Sequence, residues 1–299
     1  NMNYVSRLGV KPRQRSAGFM MGDHKSPDTG TGIEFALHRP YVRGDDVRCL
    51  DWNVYGRSER LYIKKFEETT ELRGVICLDV SGSMAFRGDP QGRWPGKFEF
   101  GCRLAAALSY VLLNQGDAVS LVLFGRGVRE MLPLSSNPAQ ITRILSVLLQ
   151  ARADEPQPGK EDPAMAGVLH ELADRFRKRE IFFIISDLME ETEGLMQVLG
   201  HLRHGRHEAL LLHTLDPVEL DFPFRGWLRL ESLEAAGQRH LLESGGFRKA
   251  YLEALEEYLA EVRRMSLMYG MDHLVCRTDR PWREVLFDAL AGRRDGRGA

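Results

Sequence analysis

The chain has 299 residues, of which 43% are hydrophobic and 28% are charged, a composition typical of a globular protein with a full core. Its 41 lysines and arginines balance 42 aspartates and glutamates, so a net charge of −1 leaves no basic field to attract nucleic acid or an anionic membrane. No apolar run approaches the roughly 18 residues of a membrane span, and the N-terminus lacks the apolar centre of a signal peptide. We therefore expect a cytoplasmic protein that binds no nucleic acid and has no membrane span.

Residues 1–72 are predicted to form a polar arm followed by a small β-rich segment. The arm is rich in glycine, lysine and arginine, which is typical of a loosely held terminus. From about residue 31 onward, short strand-like pieces alternate with turns, and one such piece contains Trp52, Val54 and Tyr55. We expect Trp52 to pack in a core because large aromatic side chains are usually buried.

Predicted strands and helices alternate along residues 73–290. Because the strands are almost wholly apolar and the connections are helical, the pattern predicts a doubly wound, mostly parallel α/β sheet with helices on both faces. Residues 118–125 and 128–134 are predicted to form a hairpin that contributes one antiparallel edge strand. Residues 216–249 interrupt the alternation and are interpreted as an insertion, and residues 291–299 as a tail.

The four cysteines do not have the spacing of a metal site. Cys49, Cys77, Cys102 and Cys276 include no C-x-x-C pair, and the nine histidines show no H-x-x-x-H pattern. We interpret the cysteines as buried, reduced thiols and expect no zinc site.

Oxygen-bearing side chains follow two of the predicted strands. Asp79, Ser81 and Ser83 come directly after an apolar strand, and Ser186 and Asp187 follow the later strand IFFII. Side chains at i, i+2 and i+4 of an extended segment face the same way, and open α/β sheets bind ligands beyond the carboxyl ends of their strands. Carboxylate and hydroxyl oxygens suit a hard divalent cation. The pattern therefore predicts a site for Mg²⁺, or for Mn²⁺ or Ca²⁺.

The D-V-S-G-S run at residues 79–83 resembles the D-x-S-x-S signature of von Willebrand factor A domains, where it forms a metal-ion-dependent adhesion site. The resemblance implies that the two serines bind the metal directly, that the aspartate acts through water, and that Asp187 is the aspartate of a third loop. The family's second-loop threonine has no counterpart in GKEDPAMAGVL, residues 159–169. Glu161 or Asp162 is a candidate substitute there, although Asp162 and the proline after it also fit a helix cap.

A longer resemblance covers about residues 22–290. Residues 32–68 resemble the hallmark of a bacterial family named domain of unknown function 58, and HTLDPVELDFP resembles its later D-P-x-E stretch. The matching hallmark positions are Glu34, Phe35, Arg39, Tyr41, Gly44, Asp45, Asp46, Arg48, Asp51, Trp52 and Arg57.

The charged hallmark residues are open to two interpretations. They fit an ion-pair network that ties the β-rich segment to the sheet, and they also fit a surface that binds a partner. These residues are Asp45, Asp46, Arg48, Asp51 and Arg57.

The family resemblance implies a von Willebrand factor A-like protein that works beside a MoxR-type AAA+ ATPase on a client protein. We accordingly predict a non-enzymatic adaptor that binds a partner's carboxylate through Mg²⁺. One alternative is a scaffold whose metal site is degenerate. The other is a Mg²⁺-dependent, phosphatase-like hydrolase with Asp79 as nucleophile, in which Ser81 would stand where such enzymes carry a second aspartate. The sequence has neither a P-loop nor a G-x-S-x-G motif.

Overall fold

The structure is a computed structural model, and it describes residues 33–42, 50–58, 60–68, 72–125, 127–151, 165–189, 191–224, 226–231 and 239–294. These residues belong to two compact units, one within residues 16–71 and one from residue 72 onward. The predicted division into residues 1–72, residues 73–290 with their insertion, and a tail stays a prediction for the chain as a whole.

The smaller unit contains two antiparallel strands and a short helix. Strand β1 (Ile33–Pro40) pairs with β2 (Tyr62–Glu68), as the predicted β-rich segment requires. Between them lies a helix, α1 (Trp52–Ser58), where the sequence pattern favoured a strand-like piece. The helix begins there because Asp51 Oδ1 accepts a hydrogen bond from the backbone N–H of Val54 at 3.2 Å, which caps its first turn.

The expectation that Trp52 packs in a core is wrong. Trp52 is 63% exposed, and its ring contacts that of Tyr55 edge to face at a centroid distance of 6.1 Å, because residues three apart share one face of a helix. Asp51 is buried as the helix cap and Arg57 is exposed. The other charged hallmark residues, Asp45, Asp46 and Arg48, lie outside the described residues.

The larger unit is built on a six-stranded sheet. Its strands are β3 (Arg73–Asp79), β4 (Ala118–Phe124), β5 (Val128–Ser135), β6 (Ile181–Ser186), β7 (Glu208–Leu215) and β10 (Asp272–Arg277). A separate antiparallel pair is formed by β8 (Trp227–Glu231) and β9 (Arg239–Glu243). The strand order in the large sheet is β10-β7-β6-β3-β4-β5, and β5 is antiparallel to its neighbour while the other pairs are parallel. This mostly parallel sheet with one antiparallel edge strand confirms the predicted fold class.

Helices connect the strands of this sheet. They are α2 (Lys97–Asn114), α3 (Gln140–Gln150), α4 (Met165–Arg175), α5 (Thr192–His204), α6 (Pro217–Asp221), α7 (Ser244–Met268) and α8 (Trp282–Arg294). Gly116 lies just beyond α2 at φ +82°, a left-handed conformation that suits glycine and marks the predicted helix end. Among the helices that the structure describes, none combines the length and apolar character needed to cross a membrane.

The sheet has an apolar core on each face. Ile76 and Leu78 of β3 pack in one core with α2, α3 and α8, whereas the alternate residues Val75 and Cys77 pack in the other with α4, α5 and α7. Strands β3 and β6 are neighbours, with Leu78 opposite Ile185. The two cores therefore hold the carboxyl ends of β3 and β6 side by side.

The cysteines that the structure describes are free thiols. Cys77 and Cys276 are buried and Cys102 is half-buried, and burial raises the pKa of Cys102 to about 12, which keeps its thiol protonated. The prediction of buried, reduced thiols is confirmed for Cys77 and Cys276, and Cys49 lies outside the described residues.

Candidate metal site at the carboxyl ends of the strands

The candidate site lies where the strand order reverses. Strand β3 has β4 on one side and β6 on the other, so a crevice opens beyond the carboxyl ends of β3 and β6. Asp79 ends β3 and Ser186 ends β6. The hydroxyl of Ser186 donates a hydrogen bond to Asp79 Oδ2 at 2.5 Å, with both side chains buried. The structure thus joins the two strand ends that the sequence pattern placed together.

The loop after β3 brings its two serine hydroxyls close together. The backbone N–H of Ser81 donates to Asp79 Oδ1 at 2.8 Å, which turns the chain as it leaves the strand. A single 3₁₀ turn, Gly82–Ala85, follows. The Oγ atoms of Ser81 and Ser83 are 3.1 Å apart, and both residues are half-exposed. Two half-buried serines, whose hydroxyls form a hydrogen bond with each other, therefore follow a buried carboxylate.

This arrangement of oxygens fits a magnesium ion. Two ligands on adjacent corners of an octahedron around Mg²⁺ lie about 3.0 Å apart, given its usual metal–oxygen distance of about 2.1 Å. The observed distance between the hydroxyls of Ser81 and Ser83 is 3.1 Å. In the described part of the chain, no group of three or more His, Cys, Asp or Glu side chains could hold a metal. Among the described residues, a cation site at this edge would therefore use the serine hydroxyls together with carboxylates.

Asp79 is short of positive charge in its surroundings. Burial, and then the nearby negative charge of Asp187, raise its pKa to about 6, against the hydrogen bonds from Ser186 and Ser81 that favour the ionised form. A divalent cation at the hydroxyls would supply the missing positive charge and lower this pKa.

Asp187 is paired with a buried lysine that the sequence analysis did not single out. Lys97 Nζ donates to Asp187 Oδ2 at 2.7 Å and to Glu219 Oε1 at 2.8 Å. Burial alone would lower the pKa of Lys97, but the two carboxylates outweigh it and raise that pKa. The sequence signals that could have indicated this cluster are a lysine at the start of a largely apolar helix and the glutamate of the D-P-x-E stretch.

The D-P-V-E run ties the loop after β3 to this cluster. At α6, Asp216 Oδ1 accepts from the N–H of Val218 at 2.9 Å, and Glu219 Oε2 accepts from the N–H of Asp216 at 2.8 Å, which is a capping box. The other oxygen of each carboxylate accepts a hydrogen bond from outside the helix. Asp216 Oδ2 accepts from the N–H of Gly88 at 3.0 Å, and Glu219 Oε1 accepts from Lys97. The start of the predicted insertion is therefore part of the site.

The loop after β6 is held in a sparsely populated conformation. Leu188 is fully buried at φ +50°, and its N–H donates to Ser186 Oγ at 2.9 Å. The hydroxyl of Tyr258 donates to the carbonyl oxygen of Leu188. Met189, directly after this loop, is 70% exposed. The loop thus holds Asp187 inside the protein and places an apolar side chain at the surface.

A buried histidine, His213, and a half-buried one, His273, lie beside this loop. His213 Nδ1 and His273 Nε2 are 3.1 Å apart, and His213 also forms a hydrogen bond with the backbone of Asp187. Burial, and then the neighbouring His273, lower the pKa of His213 to about 3. Burial, and then the positive charge of Arg263, lower the pKa of His273 to about 4. Both rings are neutral at physiological pH and serve as uncharged hydrogen-bonding groups.

Asp79, Ser81 and Ser83 lie together as predicted, while Asp187 faces Lys97. Glu161 and Asp162 lie outside the described residues, so a second-loop ligand stays a prediction.

Residues 38–260 match the family model described as "Protein of unknown function DUF58". Similar proteins include the uncharacterized proteins Rv1480 of Mycobacterium tuberculosis (strain ATCC 25618 / H37Rv) and Mb1516 of Mycobacterium bovis (strain ATCC BAA-935 / AF2122/97). Each is 27% identical over 292 residues, which is 97% of this chain and 88% of the relative.

The solved structures that match this chain have low sequence identity to it. Conserved hypothetical protein BatB from Bacteroides thetaiotaomicron has a TM-score of 0.46 and 13% identity, over 75% of this chain and 99% of that chain. An aerotolerance-related membrane protein from Bacteroides fragilis NCTC 9343 has a TM-score of 0.47 and 14% identity, over 75% and 99%. A von Willebrand factor type A structure from Catenulispora acidiphila has a TM-score of 0.44 and 13% identity, over 76% and 43%.

Proposed function

Because the chain belongs to the family described as protein of unknown function DUF58 and has a von Willebrand factor A-like sheet, we propose that it is a protein-binding module that depends on a divalent cation. When bound, the cation, Mg²⁺ or else Mn²⁺ or Ca²⁺, supplies an electrophilic position that an aspartate or glutamate of the partner completes. The observation that carries this proposal is the pair of half-exposed hydroxyls, Ser81 and Ser83, 3.1 Å apart above buried Asp79.

Each residue of the site has a distinct role in this proposal. Ser81 and Ser83 bind the cation through neutral oxygens, which leave most of its charge available to a partner. Asp79 contributes negative charge from a fixed position, because both of its oxygens accept hydrogen bonds from the protein. Asp187 contributes a second, partly neutralised charge through its pairing with Lys97. Glu161 or Asp162 would add a ligand from the loop before α4.

The partner that we assign is a MoxR-type AAA+ ATPase, with a client protein on which the pair acts. Support comes from the family membership and from the hallmark in residues 32–68. A binding role is favoured over a phosphatase-like hydrolase because Ser81 stands at the position of the acid–base aspartate, and because Asp79 is buried and engaged rather than open to a substrate. The cytoplasmic location stays a prediction from the sequence.

A second candidate is a scaffold that binds its partner without a metal. The observation that favours it is Lys97, whose ammonium group already supplies a positive charge 2.7 Å from Asp187 Oδ2. The two candidates differ in whether the wild-type chain takes up a divalent cation.

A Mn²⁺ titration followed by EPR tests the proposal, because bound Mn²⁺ loses the sharp signal of the free ion. We expect saturable binding by the wild type that is lost in Asp79→Ala and in the double variant Ser81→Ala/Ser83→Ala. Ser146→Ala is the matched control, since Ser146 Oγ bonds only within its own exposed helix turn, to the carbonyl of Thr142 at 2.9 Å. The ATPase should then be retained on the immobilised chain with Mg²⁺ and released by a chelator. A free Mn²⁺ signal that wild-type protein leaves unchanged would reject the proposal in favour of the scaffold.

A further inference from the structure

A lysine is buried at a position that is unfavourable for a positive charge. Lys97 is the first residue of α2, and its side chain is 2% exposed. The amino end of a helix carries a partial positive charge, which repels a cation, and lysine is rarely buried unless it is paired. The position of Lys97 therefore depends on strong compensating contacts.

Those contacts connect three separate parts of the larger unit. The ammonium group donates to Asp187 Oδ2 at 2.7 Å and to Glu219 Oε1 at 2.8 Å, and it lies 5.6 Å from the ring centroid of Phe86. Glu219 is itself fixed by the backbone N–H of Asp216. The lysine is thus held between the loop after β6 and the first turn of α6, with little freedom to move away.

The charges of this cluster do not cancel. Asp79, Asp187, Asp216 and Glu219 carry four formal negative charges against the single positive charge of Lys97, which leaves a formal balance of −3. A divalent cation would bring that balance to −1. If Lys97 lost its charge, the balance would become −4 and attraction for a cation would increase.

We propose that Lys97 is a built-in counter-ion that limits the affinity of the strand-end site for divalent cations. By occupying Asp187, it keeps the cation weakly held by the chain alone, so that a partner's carboxylate is needed to complete the site. Glu219 is a positioning residue that keeps the ammonium group against Asp187. This inference rests on the proposed function, since it concerns the same cation.

The test is Mn²⁺ affinity, measured by EPR at pH 8 on wild type, Lys97→Met and Glu219→Gln. Methionine keeps an unbranched apolar stem of similar length and removes the charge, so we expect Mn²⁺ to bind about tenfold or more tightly. Glutamine at 219 removes one negative charge and leaves the ammonium group entirely to Asp187, so we expect weaker binding by a similar factor. A purely structural role for Lys97 would not move the two affinities in opposite directions. Circular dichroism establishes that each variant is folded.

The outcomes separate this inference from the proposed function. If wild type binds Mn²⁺ and Lys97→Met binds no more tightly, the inference is overturned and the metal-dependent module survives. If Lys97→Met binds and wild type does not, the inference is supported and the metal-dependent function of the wild-type chain fails. If none of the three binds, both are overturned. Should Lys97→Met fail to fold, weaker binding by Glu219→Gln supports the inference, and unchanged or tighter binding rejects it.

Discussion

The two ends of the parallel sheet bury their carboxylates in different ways. At the amino end, Arg73 Nε donates to Glu180 Oε1 at 3.0 Å and Arg179 donates to Glu208, so each carboxylate has its own guanidinium group. At the carboxyl end, Asp187 and Glu219 share the ammonium group of Lys97, and Asp79 accepts its hydrogen bonds from the uncharged N–H of Ser81 and hydroxyl of Ser186. The buried carboxylates are therefore matched by positive charges at the amino end of the sheet, whereas negative charge is in excess at the carboxyl end.

This difference bears on the proposed cation site. At the amino end, each buried carboxylate has a guanidinium group as its counter-charge. An unmatched negative charge below two half-exposed hydroxyls, by contrast, is unfavourable unless another cation is present, because burial disfavours an ionised carboxylate. The carboxyl end therefore has the excess negative charge that the proposed cation site requires.

The largest effect on stability is expected from removing the buried cation of the carboxyl end. Without a bound metal, Lys97→Met leaves buried Asp187 and half-buried Glu219 without their ammonium partner, and we expect a loss of about 3–5 kcal/mol in the free energy of unfolding. The matched variant at the amino end is Arg179→Met, because Arg179 is 54% exposed and its loss should cost about 1 kcal/mol or less. Urea unfolding in a chelating buffer measures both. Equal losses in the free energy of unfolding for the two variants would mean that the two ends of the sheet depend equally on their charge pairs.

A second effect concerns the pH dependence of stability through Asp79, whose pKa is about 6 in the folded chain and about 3.9 when unfolded. Because the folded state holds this proton more tightly, the contribution of Asp79 to the stability of the metal-free protein falls as the pH rises from about 4 to 6 and is then constant. Relative to Asp79→Asn, which cannot titrate, wild type should lose up to about 3 kcal/mol across that window.

The measurement is urea unfolding of wild type and Asp79→Asn at several pH values, first in a chelator and then with saturating Mg²⁺. Above pH 6, Mg²⁺ should reduce the difference in the free energy of unfolding between wild type and Asp79→Asn, since it stabilises the ionised carboxylate of Asp79. A difference that is independent of pH in the chelator would show that Asp79 is not short of positive charge.

The smallest effects concern the packing of the D-P-V-E run against the loop after β3. A Cβ at Gly88 would lie 2.2 Å from Asp216 Oδ1 and 2.7 Å from Val218 Cγ2, so Gly88→Ala must displace α6. We expect a loss of about 1–3 kcal/mol, typical of overpacking. Gly167→Ala is the control, because nothing lies within 4 Å of its Cβ position on α4 and alanine favours helix by about 1 kcal/mol.

Thermal unfolding of the two glycine variants checks this prediction, since Gly88→Ala should lower the melting temperature and Gly167→Ala should raise it. A stable Gly88→Ala variant with wild-type Mn²⁺ affinity would mean that α6 is not needed to position Lys97.

Local patterns predicted most of the larger unit. The strands β3 and β6 are uninterrupted apolar runs, and Gly116 marks the end of α2, because burial on both faces and left-handed turns leave direct signatures in composition. The helix at Trp52 was missed for a local reason. A seven-residue helix with an exposed tryptophan has little amphipathic pattern, and its main determinant is the hydrogen bond from Val54 to the side chain of Asp51.

By itself, the sequence determined that oxygen ligands follow two central strands, because a strand's end and the alternation of its side chains are properties of a few consecutive residues. The surroundings of those ligands were decided by the tertiary structure alone. Lys97, Asp187 and Glu219 are far apart along the chain, and they meet only where a helix start, a strand end and a short capped helix converge. Electrostatic pairing depends on distance and burial in space, and neither is recorded in the order of the residues.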